Sequence, residues 1–485
     1  MKGKLKLFSI ALGLSLFFIF YAFNPLSLTP EASKVMAVAV MMLAWWLSEA
    51  LPMPLVALLP IILFPLLNVM KIEQAARSYG SPVVFLFLGG FMLGLAIEKW
   101  NLHRRIALSI VKLTGTGANR IILGFCIATG FLSMWLSNTA TTMMMFPIAA
   151  SVVALMEGQK IPGGNVRNFS TALMLSLAYA SNIGGIGTLI GTPPNVVFRG
   201  IIEEKYGYEV GFMDWMMICM PLAAILIAVT YFTLILCFPN RMGKSEESAR
   251  LIADELRALG PVSGAQKKVT AIFVGTALCW IFRDQLNQLL QWVHPGVRLD
   301  DTIIALLGTF ALFFTPNDLE KDEFILEWKD TSRLAWGVLL LFGGGLCLAD
   351  ALEGTGLIAL TGMQIADVAG ADPLLLMCLL TLAAIFLSEL LSNVALVTVF
   401  VPVVCGVADA MGVNPLFYAV PVTLGASCAF MLPMGTPPNA IVFAGGKIKM
   451  SQMASAGFIL NLVSGLLISL FTYLFLDAVM PGVGG

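Results

Sequence analysis

SNTATTMMMFPIA (137–149) and SNVALVTVFVPVV (392–404) are two copies of one pattern, set 255 residues apart. Each opens on Ser-Asn, runs through small, β-branched and other apolar residues, and reaches a proline near its end. Further on, GTPPNVVF (191–198) is matched by GTPPNAIVF (435–443), and upstream FLGG (87–90) is loosely matched by LFGG (341–344). Three landmarks in the same order mark an internal duplication. Small-residue clusters recur by chance in apolar sequences, which accounts for one short match but not for an ordered set.

The surroundings of the two Ser-Asn pairs say what kind of duplication this is. From Ile121 to Met156, between Arg120 and Glu157, 36 residues pass without a charge. From Pro373 to Ala408, between Asp372 and Asp409, another 36 are interrupted only by Glu389. A straight helix of that length would be about 54 Å, too long for one crossing of a bilayer and short for two with a loop. A re-entrant hairpin fits. Ser137-Asn138 falls 17 residues into its stretch and Ser392-Asn393 falls 20 into its own, so both mark hairpin tips, each arm reaching about halfway.

Composition agrees: 58% of residues are apolar and 12% charged, far from a soluble domain. Apolar runs of about 20 residues recur from Leu7 to the last residues, leaving one membrane domain. They read as eleven crossings at 7–24, 32–50, 51–69, 82–98, 168–198, 213–239, 269–292, 302–316, 334–352, 416–444 and 455–480. The expected fold is therefore an all-α polytopic membrane protein of about eleven transmembrane helices plus two re-entrant hairpins. No cleavage site follows the Leu7–Phe23 run, so it reads as the first helix rather than a signal peptide.

Lys and Arg collect on one side of these spans, at Arg104, Arg105, Lys112, the segment 241–268, Lys321, Lys329 and Arg333. The positive-inside rule then puts the N-terminus in the cytoplasm and the C-terminus outside. The hairpins enter from opposite faces, as an inverted pair. Net charge is −1 and no basic patch stands out, which gives no reason to expect nucleic acid. The eight cysteines lie in apolar stretches without metal-ligand spacing and read as buried packing residues. Two histidines, His103 and His294, do not make a histidine metal or acid/base centre.

Inverted repeats with interrupted helices place a carrier's site near the bilayer midplane. A hairpin tip there leaves backbone groups without helical partners, tolerable only against protein or a wet cavity. Ser, Asn and Thr suit that place. Their oxygens can coordinate Na⁺, while their donors, with helix N-termini, can hold a carboxylate. Pro193-Pro194 and Pro437-Pro438 break the helix within two apolar runs and release carbonyls. Gly191 and Gly435 allow close backbone approach, and Thr192, Asn195, Thr436 and Asn439 add side-chain oxygens. Ser133 and Ser388, one turn before the tips, share a face with Ser137 and Ser392. The plainer reading is that Ser-Asn caps the second arm and the prolines make a packing kink.

Glu389 is the one acidic residue in either hairpin: it tunes a cation site, carries a proton, or is a neutral structural carboxyl hydrogen-bonded inside the hairpin. Near the motifs the only basic residue is Arg199, towards the outer membrane end, so co-bound cations are expected to balance the anion.

The Ser-Asn tips, the two GTPPN segments and WWLSEALPMP (45–54) together resemble the divalent anion/sodium symporter family, which includes sodium-coupled di- and tricarboxylate carriers, and the likeness covers nearly the whole chain. It implies a homodimer in the lipid bilayer, each subunit a fixed scaffold and an elevator-type transport domain. The scaffold of the first repeat would be 1–120 and its transport part 121–240. A linker and the second scaffold part would be 241–372, and the second transport part 373–485. By this resemblance two or more Na⁺ ions are carried. One site would use Ser133, Ser137, Asn138 and the backbone at Gly191, the other Ser388, Ser392, Asn393 and the backbone at Gly435. Substrate contacts would be Asn138, Thr139, Thr192, Pro193, Asn393, Val394, Thr436 and Pro437. Val394 stands where the strict family pattern has Thr, which bears on which carboxylate is preferred.

The expectation is Na⁺-coupled symport of a C4 dicarboxylate such as succinate, malate or fumarate, with citrate, sulfate and tartrate as other cargoes. A Na⁺-independent dicarboxylate or citrate exchanger on the same fold is the alternative, and would call for basic residues near the tips. An enzyme would need a converging base, nucleophile or metal ligands, and none is visible.

Overall fold

The computed structural model describes residues 2–158, 165–243, 246–360, 363 and 372–480. The stretches 364–371 and 481–485, within the third and fourth expected segments, lie outside the described residues. Nearly everything described is helix, and nine helices are long and apolar enough to cross a membrane, or ten if one bent pair counts as a span.

Both 36-residue stretches fold as helix, break, helix. Ala118–Ser133 is followed by Asn138–Glu157, and Pro373–Ser388 by Asn393–Met411, each pair folded back on itself. The breaks fall at the Ser-Asn pairs because Ser137 and Ser392 leave the helical region, with ψ of 141° and 132°, as N-caps do. Arms of 16 to 20 residues measure about 24–30 Å. They are longer than the expected half-depth, so a hairpin reading needs tilted arms or outer turns beyond the hydrocarbon.

Both GTPPN runs are broken as well. Val166–Ile186 and Pro193–Tyr206 flank the first break, Leu416–Ala426 and Pro437–Ala444 the second. In both cases the first proline is the first helical residue after the break, where a missing N–H costs nothing. Val166–Ile186 is buried at every residue from Phe169 to its end. Its alanines, serines and glycines let neighbours close on every side: a Cβ on Gly184 would stand 2.1 Å from the Gly130 carbonyl oxygen.

Two expected crossings are corrected. The run 51–69 is not one span but Met53–Val56 and Leu59–Leu66, because Pro52, Pro54, Pro60 and Pro65 interrupt it. The run 269–292 bends by 79° after Ile281, and its second part, Arg283–Val293, alternates charged and amide residues with leucines. Linker residues Glu246–Ala258 form an amphipathic helix packed on Leu102–Thr114, another surface helix the hydropathy reading passed over. Cys126, Cys219, Cys347, Cys405 and Cys428 are buried, but Cys237 is exposed and Cys279 and Cys378 are half-buried, so packing explains only the first five.

Lys2–Phe23 is largely uncovered and holds to the rest through Pro30–Ser48, where the Trp45 indole donates to the Ile10 carbonyl at 3.3 Å. The halves interlock at the centre. Pro437–Ala444, from the second half, packs on Val166–Ile186 and Asn138–Glu157. Pro193–Tyr206, from the first, packs on Asn393–Met411 and Leu416–Ala426.

Candidate functional site

In the first half, the hairpin tip and the helix break meet directly. Ser133 Oγ donates to Asn138 Oδ1 at 2.6 Å, closing the tip on itself. Thr188 Oγ1 donates to the Met134 carbonyl, tying the break to the tip. Gly185 admits the Asn138 amide, since a Cβ there would lie 2.6 Å from Asn138 Oδ1 and 3.1 Å from Thr192 Cβ. A Cβ on Gly191 would meet the Gly185 and Met134 carbonyl oxygens at 2.5 and 3.0 Å. Ser133, Asn138, Gly191 and Thr192 are thus drawn to one spot. Ser137 is exposed, and its Oγ accepts from the Ala140 N–H, so at this tip the capping reading also holds. Thr139 and Pro193 are half-exposed beside it.

The second tip is built differently. Ser392 makes no capping bond, and Asn393 Oδ1 is buried without a donor among the described residues. Ser388 Oγ turns back to the Ile385 carbonyl at 2.9 Å instead of reaching the tip amide. Val394 is buried, and Pro437 is exposed. What joins this tip to its break is Glu389. Its Oε1 accepts from the Phe430 and Met431 N–H groups at 2.7 Å each and from Asn461 Nδ2 at 2.9 Å, and its Oε2 accepts from the Leu432 N–H at 2.9 Å. Among the described residues four donors and no hydrogen-bond acceptor surround the group, the pattern that suits a carboxylate. Of the three sequence readings, the structural carboxyl fits this geometry, but as a carboxylate organising the break rather than the neutral group expected. It also brings negative charge to Gly435, whose Cβ position lies 2.9 Å from Oε2.

The GTPPN asparagines brace their breaks through nitrogen. Asn195 Nδ2 donates to the carbonyls of Gly185 at 3.2 Å and Thr188 at 2.8 Å, ten and seven residues back. Asn439 Nδ2 donates to those of Ala429 and Leu432, both at 3.0 Å, again ten and seven residues back. The repeat therefore extends to individual hydrogen bonds. In both copies the Oδ1 is buried with no donor among the described residues.

Arg199 does not face the site. Its guanidinium meets Asp301 at 2.9 Å, and Arg283 completes the cluster at 3.2 Å from Asp301 and 2.7 Å from Glu209. Arg199 and Asp301 are almost wholly buried, and Asp301 also accepts from the Phe212 N–H at 3.0 Å. Arg199 is thus already neutralised.

Sequence reasoning missed Gly185, Thr188, Asn461 and Asn182. The last reaches across the halves, its Nδ2 donating to Thr436 Oγ1 at 2.9 Å. The two asparagines were findable as polar residues inside long apolar runs, where an amide needs a reason to be.

Two broken helices and two Ser-Asn hairpins, presenting neutral oxygens and backbone groups at interlocked breaks, define a membrane carrier rather than an enzyme. The comparisons agree. Residues 5–480 match the sodium:sulfate symporter transmembrane region. The chain belongs to the divalent anion:sodium symporter family and is a multi-pass integral membrane transporter. It is 38% identical to the sodium-dependent dicarboxylate transporter SdcS of Staphylococcus aureus, over 98% of this chain and 92% of that protein. It is also 38% identical to SdcS of Staphylococcus saprophyticus, over 94% and 89%. Among solved structures it resembles the YdaH transporter of Alcanivorax borkumensis, with a TM-score of 0.52, 11% identity, and 85% and 89% of the two chains covered. It likewise resembles MtrF of Neisseria gonorrhoeae, of a class of antimetabolite efflux pumps, with a TM-score of 0.53, 14% identity, and 82% and 83% covered. At those identities the likeness concerns the fold.

Proposed function

We propose that this protein is a Na⁺-coupled symporter of C4 dicarboxylates such as succinate, malate and fumarate. The observation that carries the reading is the chemistry of the two tips. They offer hydroxyl, amide and backbone groups with one carboxylate, Glu389, behind the second, and Arg199, which follows the first GTPPN segment, is held by Asp301. A dianion in such a place needs cations brought with it. The relatives named for sodium-dependent dicarboxylate transport point the same way.

On this reading one Na⁺ sits among Ser133, Ser137, Asn138 and the Gly191 backbone, and a second among Ser388, Ser392, Asn393 and the Gly435 backbone. The substrate lies between them against Asn138, Thr139, Thr192, Pro193, Asn393, Val394, Thr436 and Pro437. Buried Val394 supplies an apolar wall where a hydroxyl would otherwise be. The segments 121–240 and 373–485 move as a transport domain against the scaffold, in an elevator within a homodimer. The N-terminus is cytoplasmic, in a plasma or bacterial inner membrane.

The test is succinate uptake into proteoliposomes of purified protein under an inward Na⁺ gradient against K⁺ alone, repeated with succinate in the lumen. Uptake that needs Na⁺ and no internal anion is expected. Uptake that needs internal anion and ignores Na⁺ would make the protein an exchanger and remove both cation sites.

A further inference from the structure

We propose that Asn182 is a positioning residue that turns the Thr436 hydroxyl into an obligate hydrogen-bond donor toward the bound carboxylate. The inference rests on the reading of Thr436 as a substrate contact. Asn182 belongs to the first half, on Val166–Ile186, and Thr436 to the second, as N-cap of Pro437–Ala444. The nitrogen end of Asn182 faces the second break, because it also lies 3.5 Å from the Ala429 carbonyl, which can only accept.

Thr436 Oγ1 thus accepts from Asn182 Nδ2 at 2.9 Å and from the Asn439 N–H at 3.4 Å. A hydroxyl has two acceptor sites and one proton. With both acceptor sites taken, Thr436 has no lone pair for a cation and only its proton to offer. That chemistry selects an anion at this position and leaves the cation to the second tip and the Gly435 backbone. Thr192, the counterpart in the first half, makes no capping bond and keeps its lone pairs. The two threonines are therefore not equivalent, although the sequence repeats them. Asn182 is wholly buried, so its amide is held on the second break without competition from bulk water.

The experiment compares Na⁺-driven succinate uptake by Asn182→Ala, Thr436→Val and the double variant in proteoliposomes. Each single change is expected to raise the succinate KM about tenfold, the weight of one hydrogen bond to a charged group. Maximal rate and Na⁺ half-saturation should stay within about twofold, and the double variant should match the worse single one, as coupled residues do. Multiplying KM effects in the double variant would overturn the proposal. So would a shifted Na⁺ half-saturation with unaltered succinate KM, which would make Asn182 a cation ligand. Asn182→Leu, closer in volume, replaces Asn182→Ala if the latter fails to elute as folded protein, and the same KM rise is required of it. The unaltered protein measured alongside tests the symport reading separately. If it carries another dicarboxylate, the same KM ratios are read with that anion.

Discussion

Replacing Glu389 by Gln changes one atom and should disable the second break. Hydrogen bonds to a charged group contribute about 1.5–3 kcal/mol each, and Glu389 accepts four. Glutamine keeps one acceptor oxygen. Its better orientation leaves that oxygen with Phe430, Met431 and Asn461 and turns its NH₂ against the Leu432 N–H, donor to donor. Losing that bond and burying the mismatch costs about 3 kcal/mol, and the other orientation costs more. The mismatch falls beside Gly435, so the second Na⁺ site should suffer first. Expected are a lowered unfolding midpoint in detergent, a higher Na⁺ half-saturation, and uptake reduced more than about tenfold at every pH. Unaltered stability and Na⁺ half-saturation would refute the argument. Full Na⁺-driven uptake by the glutamine variant would also argue against Glu389 as a proton carrier.

Other outcomes follow from the same geometry. Asn195→Leu and Asn439→Leu each remove two carbonyl braces, so each should lower stability by about 2 kcal/mol in denaturant titration, and by similar amounts. Gly185→Ala puts a methyl 2.6 Å from Asn138 Oδ1 and should raise the succinate KM at least about tenfold, while Gly275→Ala, with open space around it, should leave uptake unchanged. Asp301→Asn leaves Arg199 and Arg283 without a full counter-charge in a buried place, and a loss of about 3–5 kcal/mol should show as poor yield and early unfolding.

The architecture was legible because the signals that set it are local. Ser-Asn caps, double prolines and charge-free lengths act within a few turns, and they located both hairpins and both breaks. Proline placement also explains one of the two misread crossings, at 51–69, where four prolines defeat a hydropathy average. The partners were less legible. Nothing near Asn195 or Asn439 says that the nitrogen rather than the oxygen is used, since that depends on which carbonyls the fold leaves unpaired. Glu389 could be singled out but not assigned, because three of its four donors lie 41–43 residues away and the fourth 72. The two tips look alike in sequence, yet Ser133 bonds the tip amide and Ser388 does not. Duplication preserves the motif while long-range packing sets its chemistry.

The backbone contact between Gly130 and Gly184 limits how the site can be opened. For the first hairpin to swing out like a flap, its inner arm would have to peel off Val166–Ile186 along a seam with no side chains at the point of closest approach, and no rotamer change could make room. The second hairpin is pressed the same way, with a Cβ on Gly425 only 3.0 Å from the Thr381 carbonyl oxygen. Close-packed seams of this kind slide or bend little, so hairpin and central helix behave as one solid block. In the transport cycle proposed above, the block would shift whole, leaving the tips as fixed walls of a travelling compartment rather than doors.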